Sequence, residues 1–520
     1  MSEPLILCLD VGTSVIKAGM LTAGGTVLTL ATTPTPMHQP APGIAEQDAE
    51  DIYAGVLRVL GAASEGRQGR EIAALCCSGQ MAGVMALDAA GEALSPWFPS
   101  TLDRRYQPEL NQVWNAERTW LPRRIGARPI AAPRLRWWRR VQPDMERRIA
   151  KLSTLPGYVV GRLSARDASA NFIDPTYLTW FGVAHTALRT WDAELLDAFG
   201  VSPDQVPRIV AASDLVGHLS ASAASQTGLS SGLPIFAGVG DSAAGFLGAG
   251  LCEPGSALDI AGSFSVFTLY QRGYPDDPTL TLQPVASPLG PNDWYALTYL
   301  NGSGLLHRWF VEQFGGGDYA ALDAQASALP PIRDLYVSPH SLGRACPETP
   351  TLQSGWHGLT LVHRPAHLYR ALLEAVAYEF AGAARHLRSL AAQPSAAQTP
   401  AAQPPLREVR VMGGGAASAL WNRIKADVLN VPYLAPQSSE PTLRGLALVA
   451  AQGLGLHHDL RAACRAGLEA EVVATPDARR HQEYAVLEAQ YHRWLAHYAQ
   501  MCQALAAAPE LAFPAAAPTK

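Results

Sequence analysis

Asp241 stands inside the stretch Pro234 to Gly250, PIFAGVGDSAAGFLGAG. The apolar run Pro234 to Val239 reads as a short buried strand, and the Ala- and Gly-rich run after Asp241 reads as a helix with one very small face. The acid therefore falls where a strand ends and a helix begins. A helix N-terminus favours an ionised carboxylate. Ser242, Ala243, Ala244 and Gly245 are small enough to let another layer come close. A carboxylate so placed suits a general base; a plain N-cap aspartate fits the same residues.

Four more stretches carry polar chemistry at the end of an apolar run. Asp10-Val11-Gly12-Thr13-Ser14, with Lys17 beyond, can turn backbone N–H groups, two hydroxyls and an ammonium toward phosphate oxygens, while Asp10 can hold magnesium through water. The same pattern is also an ordinary hairpin. Ser78-Gly79-Gln80-Met81-Ala82-Gly83 sets a polar amide between two glycines, a ligand contact or a tight turn. Leu258-Asp259-Ile260-Ala261-Gly262-Ser263 echoes the first turn roughly 250 positions downstream, with one inserted residue. Gly413-Gly414-Gly415-Ala416-Ala417-Ser418 joins a strand to a helix N-terminus, an arrangement that binds anions. Neither a GxxxxGK[ST] loop nor a dinucleotide fingerprint occurs. His457-His458-Asp459 lacks a third ligand at metal spacing and reads as a surface turn.

The elements that must position these groups follow from periodicity. Leu5 to Asp10, Val15 to Leu21 and Thr26 to Ala31 are short strands with tight turns, an antiparallel meander. Gln47 to Leu60 is an amphipathic helix, Ile72 to Cys77 a buried strand, and Val84 to Asp88 resumes the sheet. Asn301-Gly302-Ser303-Gly304 opens a helix. Pro365 to Leu390 is a long helix, Val409 to Met412 a strand, and Leu420 to Leu429 a helix. Nine arginines lie between Pro122 and Ile149. Acids interleave them, so they read as a solvated helix face anchored by tryptophan rather than a nucleic-acid surface. Residues 391–405 are low-complexity and Pro-rich, a surface insertion, and the tail from Ala504 reads as frayed.

The 520 residues exceed one ordinary core, so two domains are expected, 1–250 and 251–503. A net charge of -5 gives no reason to expect nucleic-acid or membrane affinity. Seven scattered cysteines without a CxxC fit reduced core thiols in the cytoplasm. The N-terminus lacks a basic n-region, and no apolar run reaches the ~20 residues a membrane helix needs.

Taken in order, DVGTS at 10–14, SGQM at 78–81, LDRR at 102–105, AAPRLRW at 131–137, GVGDSAAGFLGAG at 238–250 and AGSFS at 261–265 resemble the FGGY carbohydrate kinases. GLTLVHRPAHLYRALLEAVAYE at 358–379, GGGAASALWNRIKADVLNVP at 413–432 and EPTLRGLAL at 440–448 continue the resemblance, which covers Leu5 to about Gly455 and is xylulokinase-like within the actin, Hsp70 and sugar-kinase superfamily.

The resemblance implies an α/β chain with two ribonuclease-H-like (actin-like ATPase) domains around a central cleft. Sugar would bind mainly the N-terminal domain, and ATP the C-terminal one, with Mg2+ between. Asp241 would be the catalytic base. Gln80, Met81, Ala82, Asp103, Arg104 and Asp241 would contact sugar. Thr13, Ser14, Lys17, Gly262, Ser263, Gly304, Gly414, Gly415 and Ser418 would contact ATP, and Asp10 and Asp241 the metal. Small-molecule partners follow, and a homodimer is compatible with the chain. Two departures bear on substrate: Ala82 replaces the histidine that usually follows GQM, and EPTLRG is gluconate-like. A pentulose such as xylulose or ribulose is expected, with gluconate, another sugar acid or a polyol as the alternative. An actin-like ATPase without kinase activity would not need Gln80, Asp103 and Asp241 together, and a silent sugar sensor would be free to lose Asp10 and Asp241.

Overall fold

The computed structural model describes residues 4–66, 72–99, 102–391 and 404–507. In the first half, β1 (Leu5–Val11), β2 (Val15–Thr22), β3 (Val27–Pro34), β4 (Ile72–Gly79), β5 (Leu215–His218) and β6 (Pro234–Phe236) form one sheet, in the order β5-β6-β4-β1-β2-β3. The first three strands are antiparallel, while β4 runs parallel to β1, and β6 to β4. β1 is buried along its whole length. That is why it reads as a continuous apolar run, as a central strand covered on both faces does. Helix α1 (Ala49–Ala63) buries Ile52, Val56, Val59 and Leu60, and Asp48 caps it. Helices α2 (Ala131–Val141) and α3 (Asp241–Gly248) follow.

In the second half, β7 (Ser256–Ala261), β8 (Ser265–Arg272), β9 (Gln283–Ala286), β10 (Asp293–Leu300), β11 (Glu408–Met412), β12 (Tyr433–Pro436) and β13 (Ala470–Ala474) form the second sheet. Its order is β9-β10-β8-β7-β11-β12-β13. Antiparallel β7, β8 and β10 with parallel β11 and β12 repeat the order of β1, β2, β3, β4 and β6. The ribonuclease-H-like core expected of each half is present twice. Around it lie α4 (Ser303–Phe314), α5 (Tyr319–Ser327), α6 (Pro365–Ala391), α7 (Ala419–Leu429), α8 (Pro441–Gly453) and α9 (Ala478–Ala507).

The halves meet through α3 and α8, which touch backbone to backbone. A Cβ on Gly248 would lie 1.7 Å from the Pro441 carbonyl oxygen, and one on Gly445 would lie 2.1 Å from that of Ala244. α8 also packs on β1, β2 and β4, so the later half of the chain closes the earlier sheet. One apolar cluster containing Ile6, Phe246, Leu258, Tyr295 and Leu446 runs through this junction.

Five expectations change. The strand Gly83–Leu87 does not resume the main sheet but joins a separate three-stranded one. β6 stops at Phe236 rather than Val239, because Gly238 turns to φ +70, where a Cβ would meet the Cys77 carbonyl oxygen at 1.9 Å. Asp241 is not the cap of its helix; Gly240 is. The arginine run is not all solvated face, for Arg134 is completely buried. α9 continues past Ala504 to Ala507, and the rest of the tail, like most of 391–405, lies outside the described residues. Among the described residues no helix is long and apolar enough to cross a membrane.

Candidate active site

The first-lobe carboxylates converge where β1 ends and α3 begins. Asp241 occupies the first turn of α3, half-buried, and its Oδ1 accepts the Ser242 N–H at 2.6 Å and the Ser242 hydroxyl at 3.2 Å. Burial pushes its carboxyl up to about 6, against the pull of Ser242 and the Met81 amide. Asp10 is buried at the end of β1, and its Oδ1 has no hydrogen-bond partner among the described residues. Burial first, and then the nearby Asp241 charge, raise Asp10 to about 7, while Lys17 pulls it down. In register with Asp10 on β4 sits Ser78, whose buried hydroxyl is also unpartnered. Lys17, opposite Asp10 on β2, is tied to Glu440 at 3.0 Å.

The wall beside this pair begins at Gln80. Its amide is spent inside the lobe: Oε1 accepts the Trp97 indole N–H at 3.1 Å, and Nε2 donates to Gln47 Oε1 at 2.6 Å and to the Gly12 carbonyl at 3.4 Å. Met81 lies against the Asp241 turn, where a Cβ on Gly240 would strike its side chain. Ala82 follows at φ +58, a left-handed conformation rare for a residue with a Cβ.

Asp103 is corrected by its surroundings. It is completely buried, and its oxygens accept the Ala45 N–H at 3.1 Å, Arg105 Nε at 2.8 Å and Arg134 Nη1 at 2.5 Å. Burial alone would raise its carboxyl; the two guanidiniums outweigh it and hold it below the usual range. It supports the wall from behind and offers no open carboxylate to sugar hydroxyls. Arg104 is exposed instead, on a cavity of about 870 Å3 formed with residues 39–44. Arg134 was missed in the sequence, although its place among Ala131, Leu135 and Trp138 on one face of α2 marks it as inward-facing.

A second cavity, about 720 Å3, opens in the C-terminal half and gathers Gly262, Ser263, Gly304, Gly414, Gly415 and Ser418. The glycines act differently. A Cβ at Gly304 would lie 2.0 Å from the Gly262 carbonyl oxygen, whereas one at Gly414 would meet nothing within 4 Å. Thr13, Ser14 and Lys17 belong to the first half of the chain and do not line this cavity. Ser418 caps α7 and donates to Asp323 Oδ2 at 2.7 Å; Asp323 Oδ1 accepts Tyr369 at 2.8 Å, and Tyr369 meets His307 Nε2 at 2.9 Å. His307, Asp323 and Trp421 line the cavity unforeseen, because their convergence crosses three helices. Asp259, the echo of Asp10, is buried against Lys425 at 2.5 Å, and that ammonium sits 3.9 Å over Trp421. Only the Oδ2 of Asp259 is tied to that cation; its Oδ1, like that of Asp10, has no hydrogen-bond partner among the described residues.

Two groupings result: a carboxylate pair at the start of α3, with Asp10 Oδ1 unpartnered among the described residues, and a glycine-lined cavity in the C-terminal half. A family model for the N-terminal domain of the FGGY family of carbohydrate kinases matches residues 5–248, and that for the C-terminal domain matches 264–454. The xylulose kinase of Escherichia coli (strain K12) is 26% identical over 437 residues, covering 81% of this chain and 84% of the relative. The gluconokinase of Bacillus subtilis (strain 168) is 22% identical over 471 residues, covering 86% and 88%. Among solved structures, gluconate kinase from Lactobacillus acidophilus matches with a TM-score of 0.87 at 20% identity, over 97% of this chain and 100% of the other. Xylulose kinase from Rhodospirillum rubrum matches with a TM-score of 0.84 at 25% identity, over 96% and 100%.

Proposed function

The chain belongs to the FGGY family of carbohydrate kinases, and from that premise we propose that it transfers the γ-phosphoryl group of ATP to the terminal primary hydroxyl of a neutral pentulose such as xylulose or ribulose. That it is an ATP-dependent sugar kinase follows from the family. In the proposal Asp241 takes the proton of the attacking hydroxyl. A raised, half-buried carboxylate beside a wall of Met81 and Ala82 supports that role. The cavity of Gly262, Gly304, Gly414 and Gly415 would hold the nucleotide, and the Thr13–Ser14 turn would face its phosphates. Phosphoryl transfer asks chiefly for alignment and charge neutralisation, and in this reading the carboxylates and the nucleotide cavity would supply them from opposite walls of a cleft.

The residues present fit a magnesium ion. Asp10 Oδ1 and the Ser78 hydroxyl are buried, adjacent and without partners, and Asp241 is close enough to raise Asp10. Hard oxygen donors of this kind, few in number, suit Mg2+ completed by water and phosphate oxygens. Asp10 and Asp241 would hold it, and it would neutralise charge developing on the phosphate oxygens. The seven free, buried cysteines support a cytoplasmic setting.

One observation carries the neutral substrate: the nearby cations are already matched. Arg134 closes on Asp103, Arg105 on Asp103 and Glu46, and Lys17 on Glu440, three cations against three carboxylates. None of the three is left to grip a carboxylate. A sugar acid is the second reading, favoured by Arg104, which is exposed on its cavity without an ionic partner among the described residues. The test is kcat/KM for D-xylulose, D- and L-ribulose, erythritol and gluconate, in the parent and in Ala82→His. A pentulose should lead, and the variant should shift toward D-xylulose, since histidine restores a donor and tolerates left-handed backbone. Gluconate leading would replace the neutral reading with the second one.

A further inference from the structure

The turn between β1 and β2 is held from behind. The Gly12 carbonyl accepts the Thr35 hydroxyl at 3.0 Å and Gln80 Nε2 at 3.4 Å, the Thr13 carbonyl accepts Gln47 Nε2 at 2.8 Å, and the Ser14 carbonyl accepts the Thr35 N–H at 2.9 Å. The Gly12 N–H is spent on the Val15 carbonyl at 3.1 Å. The N–H groups of Thr13 and Ser14 have no partner among the described residues. With every carbonyl of the turn drawn inward, these two donors are left for the cleft.

The pinning chain has a fixed polarity. An indole N–H can only donate, so Trp97 sets Gln80 Oε1 toward itself and Gln80 Nε2 toward Gln47. Gln47 must then accept with Oε1 and present Nε2 to Thr13. The backbone N–H and carbonyl of Gln47 pair reciprocally with those of Trp97, at 3.0 and 2.9 Å, and lock the register of the chain. Gln47 and Gln80 are almost wholly buried, 1% and 3% exposed, so water does not compete for these bonds. Gln80 is also the residue before Met81 and Ala82.

We propose that Gln47 and Gln80 are positioning residues for phosphoryl transfer: their linked amides aim the Thr13 and Ser14 N–H groups at the transferring phosphate and tie that turn to the sugar wall at Met81 and Ala82. This rests on the kinase reading above. Gln80 thereby acts through the turn rather than as a direct sugar contact. Freeing the Thr13 carbonyl lets the turn rotate its donors away, and a misplacement of about 1 Å can cost on the order of 100-fold in rate.

The test compares Gln47→Met, Gln47→Glu, Gln80→Met and the double methionine variant, checked for folding by thermal unfolding. Gln47→Glu keeps an acceptor for Gln80 and, ionised, sets an oxygen against the Thr13 carbonyl in place of the donor; Gln80→Met, which leaves Gln47 intact, serves where the Gln47 variants do not fold. In each single variant kcat should fall roughly 10- to 100-fold. Dissociation constants for AMP, and for the best sugar of the panel without nucleotide, should stay within about 3-fold of the parent. The double variant should lose no more than the worse single one, because both act through one chain. Sugar-independent ATP hydrolysis should fall in parallel and is read whether or not a panel sugar turns over. An unchanged kcat in folded Gln47→Glu would overturn the proposal. So would a loss matched by equal weakening of AMP and sugar, which is general distortion. Asp241→Asn in the same series separates the two claims: activity surviving there overturns the base, while activity surviving only in the glutamine variants overturns the positioning.

Discussion

At the scale of single residues, catalysis and stability pull against each other. The fold raises Asp241 to about 6 mainly by burial, so near neutral pH its charged form is disfavoured by the folded chain. Asp241→Asn should therefore lose about 10²- to 10⁴-fold in kcat while unfolding at an equal or higher temperature in metal-free buffer. An inactive variant that melts well below the parent would mean that the carboxylate is structural. His307 makes a second case. Burial lowers it from 6.5 to about 4, with Asp323 opposing and Lys425 assisting. A histidine depressed on folding lets the unfolded chain bind more protons between those values. Its contribution is complete above pH 6.5 and is lost as pH falls toward 4. By pH 5 it should cost about 2 kcal/mol. Urea unfolding at pH 7.5 and 5.0 should show a smaller acid loss in His307→Gln; equal losses would assign the acid sensitivity elsewhere.

At the scale of elements, the α3–α8 contact is set by the absence of side chains. Gly248 and Gly445 are already against carbonyl oxygens of the opposite helix, whereas Gly245 has its nearest neighbour, Thr442 Oγ1, 3.5 Å away. Alanine gains up to about 1 kcal/mol of helix propensity over glycine. Forcing two packed backbones apart costs about 1–3 kcal/mol or more. Gly245→Ala should thus be neutral or stabilising, and Gly248→Ala and Gly445→Ala destabilising, when compared by guanidinium unfolding. Equal stability of all three would remove the close-packing account. Because α3 starts at Asp241, the two destabilised variants should also lose activity.

For the whole molecule, the carboxylates and the glycine-lined cavity belong to different lobes, yet the reacting atoms must come within about 3–3.5 Å. The shared apolar core and the α3–α8 contact leave the junction itself little room to deform. Under the proposed function, approach is expected from rotation of the lobes about that junction, which would also shed water that competes as acceptor. Small-angle scattering should show a smaller radius of gyration when sugar and a non-hydrolysable ATP analogue are added together. An unchanged radius would count against a hinged kinase.

The meander, the turns and the glycine-rich helix starts were legible because their causes are local: alternation, turn residues and small side chains act over a few positions. The echo of Asp10–Ser14 in Leu258–Ser263 marked two strand-and-turn openings, and β1 and β7 are the strands that carry them. What the sequence could not disclose is which polar groups remain open. Asp103 looked like a sugar contact until Arg134 was seen to close on it. Asp259 echoes Asp10 in the sequence, but its Oδ2 pairs with Lys425, 166 positions away. Lys17 answers to Glu440, 423 positions away, and Gln80 to Gln47 and Trp97. Residue type and spacing by themselves pointed to the family, to the opening meander and to Asp241 at a strand-to-helix junction. Only the tertiary structure decided which charges are paired and which donors are free, because pairing depends on distance in space between residues that the chain order keeps far apart.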